Sequence, residues 1–258
     1  MSPVVEWLHV HYQWQLSLIV FATMMAINIF GKHVANLVPA FRAAGELNMA
    51  DYRRKLAKPS YAANLKRSRK WGLIYNVITF LVVIPFCVGL APTPWWKMLV
   101  DVVIILMVYD FFYYMCHRFL FHDEGFLGGP LLAVHAVHHR QHNPCRNDSA
   151  FLNPLETAIG IGLYVGSLAL LSVFMGPFHL VTVLITFFAF QQINLHNHDL
   201  WEEDRFPFRY LNYAAKMHHN HHAVFTGGNF GTISLFYDWL FGTMDDGKTV
   251  RRAGGKKA

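Results

Sequence analysis

Long apolar stretches alternate with polar ones along this chain of 258 residues. Residues 7–31 contain no Asp, Glu, Lys, Arg or Pro, and they exceed the roughly 20 residues that a helix needs to cross a bilayer core. Further apolar stretches cover 71–91, 97–116 and 155–195, the last interrupted by Gly176-Pro177. We predict an all-α integral membrane protein with four transmembrane helices, near 10–31, 71–91, 97–116 and, as a helical hairpin, 155–195.

The charges between these stretches predict the orientation of the chain. Residues 32–70 hold ten Lys or Arg but only two acids, Glu46 and Asp51, which by the positive-inside rule places this loop in the cytoplasm. The first stretch lacks the basic start and the small-residue cleavage site of a signal peptide, so we expect it to be retained. With this orientation, residues 117–153 and 196–247 form a cytoplasmic cap, and the 258 residues form a single domain.

Most of the sixteen histidines cluster where apolar stretches end. On a helix, at about 100° per residue, the i, i+3 and i+4 positions of an H-x-x-H-H motif share one face. This motif occurs twice, as His135, His138 and His139 and as His218, His221 and His222. Such a triplet can provide ligands to two ions at once, because neutral imidazole is a common metal ligand. We therefore expect a dinuclear metal site.

Two further histidine pairs have spacings that do not suit a regular helix. His117 and His122 are five residues apart, about 140° around a helix, so we predict that the helix ends or bulges there, where Asp123, Glu124 and Gly125 follow. In His196-Asn-His198, one of the two side chains can lie outside the site. The predicted ligands are the ten histidines of all four clusters, His117, His122, His135, His138, His139, His196, His198, His218, His221 and His222.

The type of ligand restricts the metal. Imidazole suits iron, zinc, copper or nickel, and it disfavours magnesium and calcium. A structural zinc site closes at four ligands, whereas this set is large enough for two ions with open positions, which on iron favour dioxygen chemistry. We expect acids around the ligands, with Asp110 and Asp199 as candidates. His219 lies about 60° beyond His222 and is a candidate for orienting a neighbour.

Composition agrees with a membrane protein and excludes other classes. Hydrophobic residues make up 54% of the chain and charged residues 15%, against about a quarter in soluble domains. The formal charge of +6 comes from basic residues near apolar stretches and at the C-terminus, which indicates contact with anionic lipid and not with nucleic acid. Cys87, Cys116 and Cys145 lack paired spacing, so we expect free thiols.

In the order of its motifs, the sequence resembles the fatty acid hydroxylase superfamily, also called the sterol desaturase family. The resemblance covers about residues 101–243. Its motifs are Asp110-x2-Tyr113-Tyr114-x2-His117-Arg118, His135-x2-His138-His139, His218-x2-His221-His222, Asn229-Phe-Gly231 and Asp238-Trp-Leu-Phe-Gly-Thr243. The H-x4-H spacing of His117 and His122 is most similar to the fatty acid and ceramide hydroxylase branch.

The resemblance implies a membrane oxidase with two iron ions, with zinc possible as purified, and with dioxygen as co-substrate. It implies a membrane lipid as substrate and a separate electron donor of the cytochrome b5 or ferredoxin type. Its setting would be a bacterial inner membrane or the endoplasmic reticulum. The branch carries an H-x3-H pair on the returning span, but Gln192 stands four residues before His196. Either the site loses one ligand or His198 replaces it, with Gln192 nearby.

The sequence thus favours a lipid hydroxylase that acts on the acyl chain of a fatty acid, sphingolipid or related lipid. Desaturation on the same centre is the first alternative. A metal transporter, or an inactive metal-binding scaffold suggested by Gln192, is the alternative from another class. A transporter would place acids and histidines along the middle of its spans, whereas these histidines cluster at span ends.

Overall fold

A computed structural model describes residues 2–122 and 127–248 of the chain. Helix makes up 72% of the structure, which confirms the all-α prediction. Asp123, Glu124, Gly125 and the basic C-terminal tail beyond Lys248 lie outside the described residues. The three cysteines are free and buried, as expected.

The helices follow one another with short connections. In chain order they are α1 Pro3–His11, α2 Trp14–Ala35, α3 Pro39–Leu56, α4 Pro59–Val82, α5 Ile84–Cys87, α6 Trp95–Cys116, α7 Leu132–His135, α8 Pro154–Met175, α9 Leu180–His196, α10 Arg209–Ala223 and α11 Phe236–Leu240. Shorter 3₁₀ turns cover His138–Arg140 and Arg146–Ala150. Proline at the first turn of α3, α4 and α8 marks three of the starts, because its fixed φ suits a helix and its missing N–H is not needed there.

Among the described residues, three helical segments are long and apolar enough to cross a membrane. They are Val5–Ala35, Trp95–Phe121 and Pro154–Met175, with 31, 27 and 22 residues. The returning helix α9 is apolar but has only 17 residues. These segments indicate a membrane protein, and they match the predicted first and third spans and the outgoing half of the hairpin.

The predicted span over 71–91 differs from the structure. The helix α4 begins at Pro59, so it carries the basic residues of 66–70 in its first half, and it ends at Val82. Pro85 accounts for the interruption, because proline has no N–H to continue the ladder and takes its place at the first turn of the short α5. The apolar stretch is therefore divided between α4, α5 and the strand β1, Val88–Gly89.

The hairpin turns at Gly176, as its Gly-Pro sequence predicts. Gly176 has a φ of 81°, a conformation that favours glycine, and its N–H donates to the carbonyl of Ser172 to close α8. Strand β2, Phe178–His179, then pairs in parallel with β1, with Val88 opposite Phe178. This pairing ties the turn to the end of α5, at the end of the stem away from the histidines.

The core of the stem forms where α6 packs against α8 and α9. Ile105, Tyr109, Tyr164 and Leu168 are fully buried there. The Tyr164 ring stacks on Phe190 at 4.6 Å, and its hydroxyl lies 2.9 Å from Oγ1 of Thr186. Pairing this hydroxyl inside an apolar core avoids the cost of an unsatisfied buried polar group. The packing fixes the C-terminal end of α6, from which the first histidine projects.

Candidate metal centre

Nine of the ten predicted ligands gather in two groups of buried histidines. Within each group the candidate ligand nitrogens all lie within 4.8 Å of one another. The first group is His117, His122, His135, His139 and His221. The second group is His138, His198, His218 and His222.

Each H-x-x-H-H motif contributes to both groups. From α10, His221 enters the first group, whereas His218 and His222 enter the second. The other motif also divides, with His135 and His139 in the first group and His138 in the second. Its backbone is not one α-helix, because α7 ends at His135 and a 3₁₀ turn begins at His138. The two groups adjoin, with the rings of His139 and His222 stacked at 4.6 Å.

The predicted irregularity after His117 is confirmed. A π-helix covers His117–Phe121, and the N–H of His122 donates to the carbonyl of His117 at 3.0 Å. This wider turn brings the two imidazoles together, with ring centroids 5.0 Å apart, where a regular helix would separate them.

Hydrogen bonds to the far side of the rings set the tautomers in the first group. Four of the five Nδ1 atoms lie 2.7–2.8 Å from an oxygen. The pairs are His117 with the Phe230 carbonyl, His122 with the Phe225 carbonyl, His135 with Oε1 of Glu156, and His221 with the Gly228 carbonyl. Carbonyl and carboxylate oxygens accept, so each Nδ1 carries the hydrogen and each Nε2 presents a lone pair.

These lone pairs face one another. The Nε2 of His135 lies 3.0 Å from the Nε2 of His117 and 3.0 Å from that of His139, which in turn lies 3.1 Å from the Nε2 of His221. The Nε2 atoms of His117 and His135 both lack a hydrogen, so neither can donate to the other. About 3 Å is also the separation of two nitrogens at right angles around an ion that lies about 2.1 Å from each. The arrangement therefore fits a cation.

The second group follows the same pattern. The Nδ1 of His198 lies 2.9 Å from the Asn194 carbonyl, and its Nε2 lies 3.0 Å from that of His138 and 3.1 Å from that of His218. Neither ring nitrogen of His222 has a hydrogen-bond partner, although both are buried. A buried polar atom without a partner is costly, and a bound metal would remove that cost.

Burial keeps these imidazoles neutral, which is the form that binds metal. It lowers the pKa of His122 to about 3 and the pKa of His138 and of His221 to about 4. Burial, reinforced by the neighbouring histidines, also lowers the pKa of His139 and of His222 far below the usual range. The donor set is thus neutral imidazole, which suits iron, zinc, copper or nickel.

His196, the tenth predicted ligand, lies outside both groups. Its Nδ1 is 3.0 Å from Oδ2 of Asp199, and its Nε2 is 3.0 Å from the Leu211 carbonyl, so both nitrogens face oxygen acceptors. Arg146 joins this network by donating to Asp199 at 2.8 Å and to Oε1 of Gln192 at 2.7 Å. Of the two alternatives that Gln192 left open, the geometry favours His198 as the ligand.

We expect substitutions of His196 and His198, which are separated only by Asn197, to have different effects on the metal content. His196→Ala should leave the metal content per chain unchanged, because His196 belongs to neither group, whereas His198→Ala should lower it. Elemental analysis of both purified variants measures the difference. Equal losses would show that His196 takes part in metal binding.

Asp110 and Asp238 organise the loop that closes the first group. The N–H groups of Phe230 and Gly231 donate to Asp238, and those of Thr232, Ile233 and Ser234 donate to Asp110, so five consecutive amides end on two carboxylates. The carbonyl of Phe230 then accepts from His117. Asp110, predicted to lie around the ligands, therefore acts through this loop and not by touching a histidine.

Glycine is required at one position of this loop. A Cβ at Gly231 would lie 2.3 Å from the Ser234 carbonyl oxygen and 2.9 Å from Oδ2 of Asp238. Gly231 and Asp238, from two motifs of the sequence, thus together hold the Phe230 carbonyl against His117.

Glu156 is a functional candidate that the sequence analysis missed. It stands in the first turn of α8 and accepts from Nδ1 of His135 at 2.7 Å, while its Oε2 is buried without a partner. A carboxylate behind a ligand histidine fixes the ring and raises its basicity. In the sequence, Glu156 is recognisable as an acid at the start of the apolar hairpin 155–195.

Replacing Glu156 with Gln should weaken metal binding by about 10- to 100-fold, because the ring of His135 loses its charged acceptor. Competition with a chelator of known affinity measures this change. Glu202→Gln is the control, since Glu202 is an exposed acid of the cap that belongs to neither group. Equal metal affinity in the Glu156 variant and the wild type would contradict a supporting role for Glu156.

Aromatic rings enclose the first group. Phe121 stacks on His135 with centroids 5.0 Å apart, Phe225 lies 4.6 Å from His122, and Phe230 lies 5.7 Å from both His117 and His221. Their apolar surfaces exclude water from the histidines. His219, a predicted neighbour of the ligands, lies against the backbone of His198 and Asp199, and burial lowers its pKa.

Comparisons with known proteins agree with this site. The family model described as fatty acid hydroxylase matches residues 102–243, more than half of the chain and the segment that carries every histidine of both groups. No solved structure matches the chain.

Several curated proteins are similar to the chain. The very-long-chain aldehyde decarbonylase GL1-8 of Oryza sativa subsp. indica is 30% identical over 163 residues, 60% of this chain and 56% of that protein. Methylsterol monooxygenase 1 of Danio rerio is 28% identical over 140 residues, 53% of this chain and 44% of that protein. The chain thus spans about half the length of the curated relatives that it matches.

Proposed function

Since the chain belongs to the fatty acid hydroxylase family, we propose that it is a dioxygen-dependent hydroxylase of a membrane lipid. The observation that carries this proposal is the pair of adjoining histidine groups, whose Nε2 lone pairs converge at the end of apolar helices. Two iron ions held by these groups would supply the activation of dioxygen that oxidation of a C–H bond requires.

The residues of the chain have three tasks in this proposal. The five histidines of the first group would hold one ion and the four of the second group the other. Glu156 and the carbonyls behind the rings keep the Nδ1 atoms of His117, His122, His135 and His221 protonated, so that their Nε2 atoms stay free to bind. Phe121, Phe225 and Phe230 keep water away from the reacting centre.

The surroundings of the site support a lipid as substrate. Both groups adjoin the ends of α6 and α9, whose lengths are apolar, so an acyl chain can approach from the bilayer. We propose a stem of four transmembrane helices within a single domain of residues 1–258, with the histidine cap in the cytoplasm of a bacterium or facing the cytoplasm from the endoplasmic reticulum. The electrons would come from a separate donor, of the cytochrome b5 or ferredoxin type.

The class of lipid can be tested broadly. The H-x4-H spacing of His117 and His122 favours a fatty acyl or ceramide substrate, whereas the names of the relatives refer to methylsterols and very-long-chain aldehydes. Lipid extracts should therefore be examined for modified fatty acyl lipids and ceramides, for methylsterols and for very-long-chain aldehydes.

The metal transporter alternative is weakened by the structure. It needs polar side chains free along a path through the spans, but both carboxylate oxygens of Asp110 are occupied by the loop 232–234. Asp101, the other acid of α6, is paired with Lys97 at 2.7 Å.

Growth under ¹⁸O-labelled dioxygen tests the proposal. Cells that express the wild-type chain should contain lipids with an added ¹⁸O atom, and cells that express His138→Ala at the same level should lack them. Lipids that lose two hydrogens without gaining ¹⁸O would instead show desaturation. Identical lipid profiles in the two strains, with metal bound in the wild type, would contradict the enzyme proposal.

A further inference from the structure

A cavity of about 590 Å³ lies apart from the histidine groups, between α3, α4 and the turn after His139. Of the eleven described residues that line it, five are basic and none is acidic. The basic residues are Arg54, Lys55, Lys58, Arg67 and Arg140. The volume is within the range of pockets that hold small molecules. Because the site is concave, the flat surface of a partner protein would not fill it.

Two of the five cations are already neutralised. The Lys55 ammonium lies 2.8 Å from Oδ2 of Asp51 and also contacts Asp148. It thereby fills the cluster of Asp51, Cys145 and Asp148, which would otherwise be a candidate metal site. Arg54 pairs with Asp51 through its Nε at 3.1 Å.

The other three cations are uncompensated. Lys58, Arg67 and Arg140 are exposed, and within residues 2–122 and 127–248 none of them forms an ion pair with an acid. They converge on one cavity from the residue directly before α4, the third turn of α4 and the 3₁₀ turn. Like charges held together in a concavity raise the local potential for an anion.

The base of the cavity is fixed. The rings of Tyr61 and Phe151 stack at 5.0 Å with an interplanar angle of 10°, and the Tyr61 hydroxyl donates to Asp148 at 2.7 Å. Tyr61 lies in the first turn of α4, which contains no acid, so the positive end of the helix dipole adds to the side-chain charges. The cavity therefore has a floor held in place by packing and a hydrogen bond, with positively charged side chains around it.

We propose that this cavity binds the phosphate group of a phosphate-bearing ligand. A phosphate monoester carries a charge near −2. Three uncompensated cations therefore match a phosphate monoester better than a carboxylate, which carries a single negative charge. Arginine presents paired N–H groups that fit phosphate oxygens, and two of the three uncompensated cations, Arg67 and Arg140, are arginine.

The position of the cavity admits two sources of phosphate. Along α4, Arg67 lies about 6 Å and Lys58 about 20 Å beyond Trp71, where the apolar half of the helix begins. With the apolar half of α4 in the bilayer, as in the four-helix stem proposed above, the near end lies at the level of lipid head groups and the far end in water. An anionic phospholipid and a soluble phosphate ester share the chemistry that the cavity recognises.

Titration of the detergent-purified, metal-loaded protein with dioctanoyl phosphatidic acid tests the proposal, with dioctanoyl phosphatidylcholine as the comparison lipid. Native mass spectrometry counts bound lipid, and calorimetry measures its affinity. The wild type should bind phosphatidic acid, and the Lys58→Gln/Arg67→Gln variant should bind it about 10-fold more weakly or worse, because it loses two charged contacts.

A matched control separates the cavity from a diffuse positive surface. Arg53→Gln/Lys66→Gln removes the same charge from two exposed residues nearby in the sequence, Arg53 in the last turns of α3 and Lys66 beside Arg67 in α4, but neither residue lines the cavity. This variant should retain the affinity of the wild type to within about threefold. If a double variant fails to fold, Arg67→Gln and Lys66→Gln are compared as single substitutions.

The outcomes are distinct. Competition by glycerol 3-phosphate would support the phosphate site and show that a soluble ester suffices, whereas binding of phosphatidic acid without such competition would support the lipid as the source. Equal losses in the two variants, or equal binding of phosphatidic acid and phosphatidylcholine by the wild type, would overturn the proposal. None of these outcomes depends on lipid oxidation.

Discussion

His221→Ala is expected to remove metal from the first group and to lower lipid oxidation by about 100-fold or more. Loss of a residue that only supports a ligand already costs 10- to 100-fold in metal affinity or activity, and His221 is itself a candidate ligand. Its Nε2 lies 3.1 Å from that of His139, and its Nδ1 donates to the Gly228 carbonyl. Elemental analysis of the purified variant, beside the wild type, measures the metal lost per chain.

A control for this experiment is His142→Ala, because His142 is an exposed histidine of the cap outside both groups. It should keep the metal content and the activity of the wild type. The metal centre assigned to the first group would be wrong if His221→Ala retained two ions per chain after gentle purification.

Asp110→Asn should lower the free energy of unfolding by about 3 kcal/mol. The Asp110 carboxylate accepts from three backbone amides and from the Ser234 hydroxyl, and the amide nitrogen of Asn would face donors that it cannot accept from. Each buried donor left without a partner costs about 1–3 kcal/mol. Denaturant titration in detergent micelles measures the loss, and the Phe230 carbonyl should release His117 in the same variant.

Asp101→Asn is the matched control, since Asp101 lies on the same helix and is also buried. Its partner Lys97 has a side chain that is 42% exposed, so the pair is solvated and should contribute about 1 kcal/mol or less. Equal destabilisation by the two substitutions would mean that the loop contacts of Asp110 contribute no more than an ordinary ion pair.

Local spacing predicted the features that depend on local geometry. The 140° separation of His117 and His122 predicted a distorted helix, and a π-helix lies there. The i, i+3, i+4 pattern of α10 predicted one histidine face that serves two ions, and His218, His221 and His222 divide between the two groups. Gly176-Pro177 predicted the hairpin turn.

Spacing could not predict what depends on distant contacts. The histidine cluster at the end of the returning span predicts His196 as a ligand, but Asp199 and the Leu211 carbonyl occupy both of its nitrogens. The role of Glu156 depends on α8 packing beside α7, a contact that no periodicity encodes. Hydropathy alone predicts the second span over 71–91. It does not show that the helix begins in the basic segment before this span and ends at Val82, shortly before Pro85.

The division of adjacent histidines between the groups restricts how this site can change during evolution. His138 and His139 are neighbours in the chain but belong to different groups, and so are His221 and His222. Deleting either H-x-x-H-H motif as a whole would therefore take histidines from both groups. A change confined to one group has to fall on His117, His122 or His198, which lie outside these motifs, or on a single histidine within one of them.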